Sequence, residues 1–300
     1  MASTAQNEPA HTTFAKENFS KSGASGLYDR ARPSYPPESI SHILSALPTP
    51  STPTDRAVVV ELGSGTGIFT RALLSHPDTR GKVKKVICVE PSEGMREGFG
   101  RATLSGAFGW AGKGEGAGGG GVEVECVNGT FEDVPVEDGS VDLVVCAQAF
   151  HWTGSNPLPA VRSIARLLRP SSPWALIWNL EDRSVPWIAQ LRDAYEQFEV
   201  GPQYRLNLWK KMWDDKAYWE VFGDVEQREF RWVKGVTEQG AVDRVFSKSY
   251  ITALSDNERA KLETKLREVI RRGEGKKWMD EKAGTFEYDY TTDLFIARRK

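Results

Sequence analysis

Two hydrophobic rhythms alternate along the first two thirds of the chain. Short runs that are mostly apolar at consecutive positions are separated by stretches in which apolar residues recur every three or four. The first kind predicts five strands: Ala57-Val-Val-Val-Glu-Leu62, Val86-Ile-Cys-Val-Glu90, Val122-Glu-Val-Glu-Cys-Val127, Val141-Asp-Leu-Val-Val-Cys-Ala147 and Trp174-Ala-Leu-Ile-Trp-Asn179. The second predicts the helices. One follows Pro36-Pro37 and carries Ile40, Ile43, Leu44 and Leu47 on a single face. Others run from Ile68 to Ser75, onward from Pro91-Ser92-Glu93 with Ser92 as a cap, and from Asn156-Pro157 to about Leu168, where Arg169-Pro170 stops it. Strands without alternation are buried on both faces, so this order predicts a parallel sheet covered by helices on both sides. Ligands of such sheets sit beyond the carboxyl ends of the strands, which places the loops after Leu62, Glu90, Val127, Ala147 and Asn179 around one site.

Beyond Leu180 the rhythm loosens. Helices are predicted over 186–199 and 203–221, the latter with Trp209, Trp213 and Trp219 turned mainly into the core, and strands over 225–232 and 291–297. Ser255-Asp-Asn-Glu258 is a capping box, followed by Leu262, Leu266 and Ile270 on one face and ended by Gly273. At the other end, residues 1–26 are polar and rich in Ser, Thr, Ala and Asn, and read as a flexible arm before one domain over 27–300. The glycine-dense stretch 105–121 leads into the amino end of a strand and opens no helix, so it reads as an insertion and not as a phosphate cradle.

Composition narrows the partners. With 39 basic and 41 acidic side chains the net charge is -2, which provides no field for gathering nucleic acid. Cys88, Cys126 and Cys146 all fall within predicted strands and lack paired spacing, so neither a metal site nor a disulfide framework is indicated. No segment reads as a membrane span or as a leader, and a reducing, cytoplasmic setting is the expectation.

The chemistry concentrates at Glu61-Leu-Gly-Ser-Gly-Thr-Gly67, a glycine-rich turn between a strand and a helix where backbone amides face a ligand. A dinucleotide fingerprint would need glycine at position 68, where Ile68 stands, and the third glycine comes one residue early. This weakens the reading as a nicotinamide oxidoreductase. The second piece is Glu90 at the end of the next strand, where a carboxylate can accept hydrogen bonds from vicinal ribose hydroxyls.

At these residues the chain resembles the class I S-adenosylmethionine-dependent methyltransferases, and within them a fungal and bacterial small-molecule branch similar to the trans-aconitate and quinone methyltransferases. The matching blocks are Tyr28-Asp-Arg-Ala-Arg-Pro-Ser-Tyr-Pro36, Glu61 to Gly67, Val89-Glu-Pro-Ser-Glu-Gly-Met95, Gly129-Thr-Phe-Glu-Asp133, Ala147-Gln-Ala-Phe-His-Trp152 and Trp178-Asn179 through Val185-Pro-Trp187, with fainter similarity at Ser247-Lys-Ser-Tyr250. The resemblance implies a Rossmann-like, seven-stranded, mostly parallel α/β sheet with its last strand antiparallel. It divides the domain into a cofactor-binding core, 27–180, and substrate-side elements, 181–300.

It also implies the site. Gly63, Gly65 and Gly67 would line the methionine part of S-adenosylmethionine, Glu61 would hold its amine and Glu90 its ribose. Thr130 and Phe131 would face adenine, although Thr130 lacks the carboxylate that relatives offer there, and Gln148 would border the methionine end. Tyr28 and Arg32 belong to an arm closing over the cofactor, with Arg32 able to pair with its carboxylate. For the acceptor, His151 is a candidate base or positioning residue, and Phe150, Trp152, Trp178 and Trp187 form a prospective aromatic wall. The expected activity is methyl transfer to an O, N or C nucleophile of a small molecule. A cofactor-binding module without turnover remains open, as does the oligomeric state. Ser171-Ser-Pro173 replaces a glycine pair of the relatives on the far edge, away from the chemistry.

Overall fold

The five apolar runs form the strands expected of them. The computed structural model describes residues 24–104 and 121–300. Strands β1 (Ala57–Leu62), β2 (Val83–Val89), β3 (Glu123–Val127), β4 (Leu143–Ala147) and β5 (Pro173–Glu181) are mutually parallel where they pair, and a longer antiparallel ribbon extends the sheet. That ribbon is β6 (Phe222–Val236) and β8 (Thr285–Arg299), joined at one end by the three-residue β7 (Trp278–Asp280). The strand order is β3-β2-β1-β4-β5-β8-β6, with β8 antiparallel to β5. Among the described residues the sheet therefore has seven strands in its main path and an eighth short one at its margin, with its last strand antiparallel.

Both faces are covered because consecutive β1 residues feed opposite cores. Val60 and Leu62 join a cluster with Val161, Ile164 and Leu167, while Val59 joins Ile43, Phe69, Leu73 and Phe99. The helices responsible are α2 (Pro37–Ser45), α3 (Ile68–Ser75) and α5 (Glu93–Leu104) on one side and α6 (Leu158–Leu167) on the other, with the short α4 (Thr79–Lys82) leading into β2. A third core sits beyond the sheet proper. There Phe286, Tyr288 and Tyr290, alternating along the first half of β8, meet Trp187 and Leu191 of α7 (Pro186–Glu196), Val242 and Val245 of α9 (Glu238–Phe246) and Leu262, Leu266 and Ile270 of α11 (Asp256–Arg272). The capping box Ser255–Glu258 and the left-handed Gly273 bound α11 as the sequence indicates.

Several expectations are corrected. Helix α1 (Ala24–Ala31) begins inside the segment read as a flexible arm; the rest of that arm, 1–23, and the glycine-dense stretch 105–120 lie outside the described residues. The helix expected over 203–221 is broken into two 3-10 segments and α8 (Lys216–Val221), because Asn207 adopts φ 54° and the Asp215 side chain caps Ala217. Within it, Trp209 is fully buried but Trp219 is exposed. Asn156 does not cap α6, whose cap position is Pro157. The boundary drawn at residue 180 falls inside β5, so core and substrate-side elements share one sheet.

Candidate active site

The carboxyl ends of β1, β2, β4 and β5 open into a single cavity, roofed by α1 and flanked by α7, α9 and α10 (Ser249–Thr252). Tyr28, Arg32, Glu61, Gly63, Gly65, Glu90, Thr130, Phe131, Gln148, His151 and Trp152 all line it.

Backbone geometry explains the glycines. Gly63 has φ 73°, and a Cβ there would stand 2.6 Å from the Ala149 Cβ, so only glycine fits beside β4. Gly65 has φ 57° with open space beside its Cα, and its amide donates to Glu90 Oε2 at 2.9 Å. Gly67 does not line the cavity; at φ 83° it forms the left-handed start of α3. The other oxygen of Glu90 accepts the Ser92 amide at 2.8 Å, so one buried carboxylate ties the turn after β1 to the turn after β2. Gln148 adopts φ 55° at the end of β4 and is fixed by donating to the Asn179 carbonyl at 2.7 Å.

Glu61 is 1% exposed and accepts the Thr70 hydroxyl at 2.5 Å. Burial outweighs that bond and pushes its carboxyl up to about 8, so the free protein holds Glu61 protonated at neutral pH. Thr130 engages Asp133 through its amide and hydroxyl. Two residues on, the Glu132 carboxylate also lines the cavity.

His151 is 8% exposed, and its Nδ1 accepts the Trp178 indole N–H at 3.2 Å. With that lone pair engaged, the neutral ring carries its proton on Nε2. Burial and then Arg32 lower its pKa to about 3. At neutral pH His151 therefore offers a hydrogen-bond donor and no free lone pair, which favours positioning over general-base chemistry.

The expected aromatic wall is reduced. Phe150, Trp178 and Trp187 are fully buried and do not line the cavity. Phe150 packs edge-on against Phe131 and Trp174, Trp178 stacks on Trp209, and Trp187 meets Phe286 and Tyr288 in the third core. Only Trp152 of that set reaches the cavity.

A second cluster escaped the sequence reading. Glu181, at the end of β5, is 3% exposed and pairs with Arg244 at 2.8 Å and Lys248 at 3.2 Å. Burial alone would raise its pKa, but Arg244, Lys248 and Arg192 together hold it well below the usual carboxylate range. Lys248 is pushed down to about 7, first by burial and then by Arg244. Arg244, Lys248 and Tyr250 all line the cavity. The block Ser247-Lys-Ser-Tyr250 was the only signal in the sequence that pointed here, and it carried no role.

The arm is latched over the glycine turn. Asp29 accepts the Thr66 hydroxyl at 2.9 Å and pairs with Arg71, while the Asn179 side chain donates to the Ser34 carbonyl at 2.9 Å. Asp29→Ala is expected to weaken binding of S-adenosylhomocysteine roughly fivefold, about 1 kcal/mol for a half-exposed pair plus one hydrogen bond, with little change in melting temperature. Calorimetric titration beside thermal unfolding checks this; unchanged affinity would show that the latch does not govern the site.

Residues 60–174 match the family model described as a methyltransferase domain. An uncharacterised methyltransferase of Mycobacterium tuberculosis is 30% identical over 253 residues, covering 84% of this chain and 86% of the relative. One from Schizosaccharomyces pombe is 30% identical over 245 residues, covering 81% and 84%. Among solved structures, one described as a type II methyltransferase from Anaeromyxobacter dehalogenans aligns with a TM-score of 0.54 at 16% identity, over 89% of this chain and 97% of that one, and shares the fold. The chain belongs to the class I S-adenosylmethionine-dependent methyltransferase family.

Proposed function

We propose that the protein transfers the methyl group of S-adenosylmethionine to an O, N or C nucleophile of a small molecule held beside His151. The observation that carries this reading is one cavity lined both by the glycine turn with Glu90 and by the Glu181, Arg244 and Lys248 cluster, which gives cofactor and acceptor a common space. Gly63 and Gly65 would line the methionine part and Arg32 would take its carboxylate. Glu61 would hold the amine, Glu90 the ribose hydroxyls, and Thr130, Phe131 and Glu132 the adenine. The fit is supported by a buried, protonated Glu61, a carboxyl that a cationic partner would ionise, and by the open space beside Gly65.

When bound, S-adenosylmethionine supplies a methyl group activated by positive sulfur. The protein's part is then alignment and exclusion of water. His151, held by Trp178, would donate through Nε2 to the acceptor. Trp152 and Tyr28 would enclose it, and the arm would close the cavity behind it. Among the described residues no helix is long and apolar enough to cross a membrane. The free thiols Cys88, Cys126 and Cys146 suit a cytoplasmic setting.

Incubation with methyl-labelled cofactor and a metabolite extract tests the activity: a labelled small molecule is the expected result, and its persistent absence would favour a binding module without turnover. Thermal-shift titration with S-adenosylhomocysteine and with NAD(P) separates the methyltransferase from the oxidoreductase reading; stabilisation by NAD(P) alone would overturn the proposal.

A further inference from the structure

We propose that the part of the cavity lined by α9 and α10 is an anion site, which takes a carboxylate of the methyl acceptor on Arg244 and Lys248. This rests on the methyltransferase reading of the cavity and names its substrate class.

The argument begins with charge. Arg32, Arg244 and Lys248 line the same space, and the carboxylate that pairs with Arg244 and Lys248 is Glu181. The other acids at this end are engaged elsewhere: Glu196 with Arg183 and Arg192, Glu199 with Arg205 and the Tyr250 hydroxyl. Two guanidiniums and a lysine whose pKa lies at about 7 thus share one carboxylate, which leaves the cluster net positive. Uncompensated charge is costly in a space removed from water, and a ligand of opposite sign relieves that cost.

Hydrogen bonding points the same way. Arg244 is 3% exposed, yet its Nε and Nη1 have no hydrogen-bond partner among the described residues, and neither does Arg32 Nε. These two N–H groups of Arg244 lie on different edges of the guanidinium whose Nη2 holds Glu181, and each can donate a charge-assisted bond to an anion. Arg32 would be satisfied by the cofactor's own carboxylate, which leaves Arg244 for the acceptor. Burial first, and then the neighbouring Arg244, depress the pKa of Lys248, as expected for a cation packed beside another cation. His151 adds a neutral N–H, and the surrounding Tyr28, Tyr195 and Trp152 add apolar and hydroxyl-bearing walls; the other carboxylates on the wall at this end, Glu196 and Glu199, are each paired with an arginine.

The test uses the full chain saturated with S-adenosylhomocysteine. Acetate and benzoate are titrated calorimetrically, each against its neutral counterpart, acetamide and benzamide. The acids are expected to bind at least about tenfold more tightly than the amides, as charge-assisted bonds require. Arg244→Met is expected to abolish the difference while S-adenosylhomocysteine affinity stays within about twofold. Arg244→Lys keeps a partner for Glu181 and guards against misfolding; it removes the planar fork and is expected to lose most of the preference. Equal binding of acid and amide to the wild type, or no acid binding up to about 100 mM, overturns the anion site alone. Loss of S-adenosylhomocysteine affinity in Arg244→Lys would show that the cluster serves the cofactor's carboxylate and overturns it as well. Failure of S-adenosylhomocysteine to bind the wild type would remove the underlying reading, and the anion site with it.

Discussion

Glu90→Ala is expected to weaken S-adenosylmethionine binding by about 1.5 to 3 kcal/mol, roughly ten- to a hundredfold, the range for hydrogen bonds made to a charged group. Two losses coincide. The ribose would lose its acceptor, and the amides of Gly65 and Ser92, which donate to Glu90 at 2.9 and 2.8 Å, would lose theirs. Glu90→Gln should be almost as damaging. Each carboxylate oxygen already faces an N–H, so the amide NH2 of glutamine would have to oppose one of them. Titration calorimetry on both variants measures this, and glutamine restoring full affinity would remove the charge from the account.

Glu61→Gln is expected to stabilise the free protein while impairing cofactor binding. Folding raises the Glu61 pKa from 4.5 to about 8, so between those values the native state holds a proton that the unfolded chain releases. Stability contributed by that proton is complete below about pH 4.5 and is lost as pH rises through 8. At pH 7 the penalty is about 3 kcal/mol, which a neutral glutamine would remove. Melting of Glu61→Gln should accordingly exceed wild type at pH 7, and the two should converge near pH 4.

Binding works in the opposite sense. A cationic ligand ionises Glu61, so the wild type should release about one proton at pH 7 and bind more tightly as pH rises toward 8. Calorimetry in phosphate and in Tris reads that proton directly, and Glu61→Gln should release none. A wild type that releases no proton would mean that the carboxyl is already ionised or does not meet the cation.

The strand and helix order was legible because parallel strands buried on both faces leave little room for polar residues. The limits of β1 and α3 match the sequence reading residue for residue. Where the reading fell short, polar side chains hid the structure. β2 begins at Val83, before the apolar run, because Lys85 pairs with Glu123 and Glu125 on the neighbouring edge strand. β8 is twice as long as expected, since Phe286, Tyr288 and Tyr290 alternate with polar residues and bury one face only. β6 presents Glu226, Arg228, Glu229 and Arg231 on the sheet edge, where such charges discourage further pairing; the strand read over 225–232 lies within it, and only its ends at Phe222 and Val236 went unread.

The site divides along the same line. The glycine turn, Glu61, Glu90 and His151 lie at or just beyond the carboxyl ends of strands, which the topology alone brings together, so motif spacing could find them. Arg244 and Lys248 could not be found this way. A cation on or beside a helix ordinarily faces water, and only the fold reveals that α9 and α10 bring these two against Glu181. Aromatic residues misled for the converse reason: Phe150, Trp178 and Trp187 lie close to strand ends in sequence, but these large side chains fill the cores beneath the cavity.

A crystal structure of the protein with S-adenosylhomocysteine tests the central claim most directly. The account predicts the ribose hydroxyls on the Glu90 carboxylate and the homocysteine part against Gly63 and Gly65, with its amine toward Glu61. An adenosyl group seated away from Glu90, or a cavity that stays empty at saturating ligand, would contradict it.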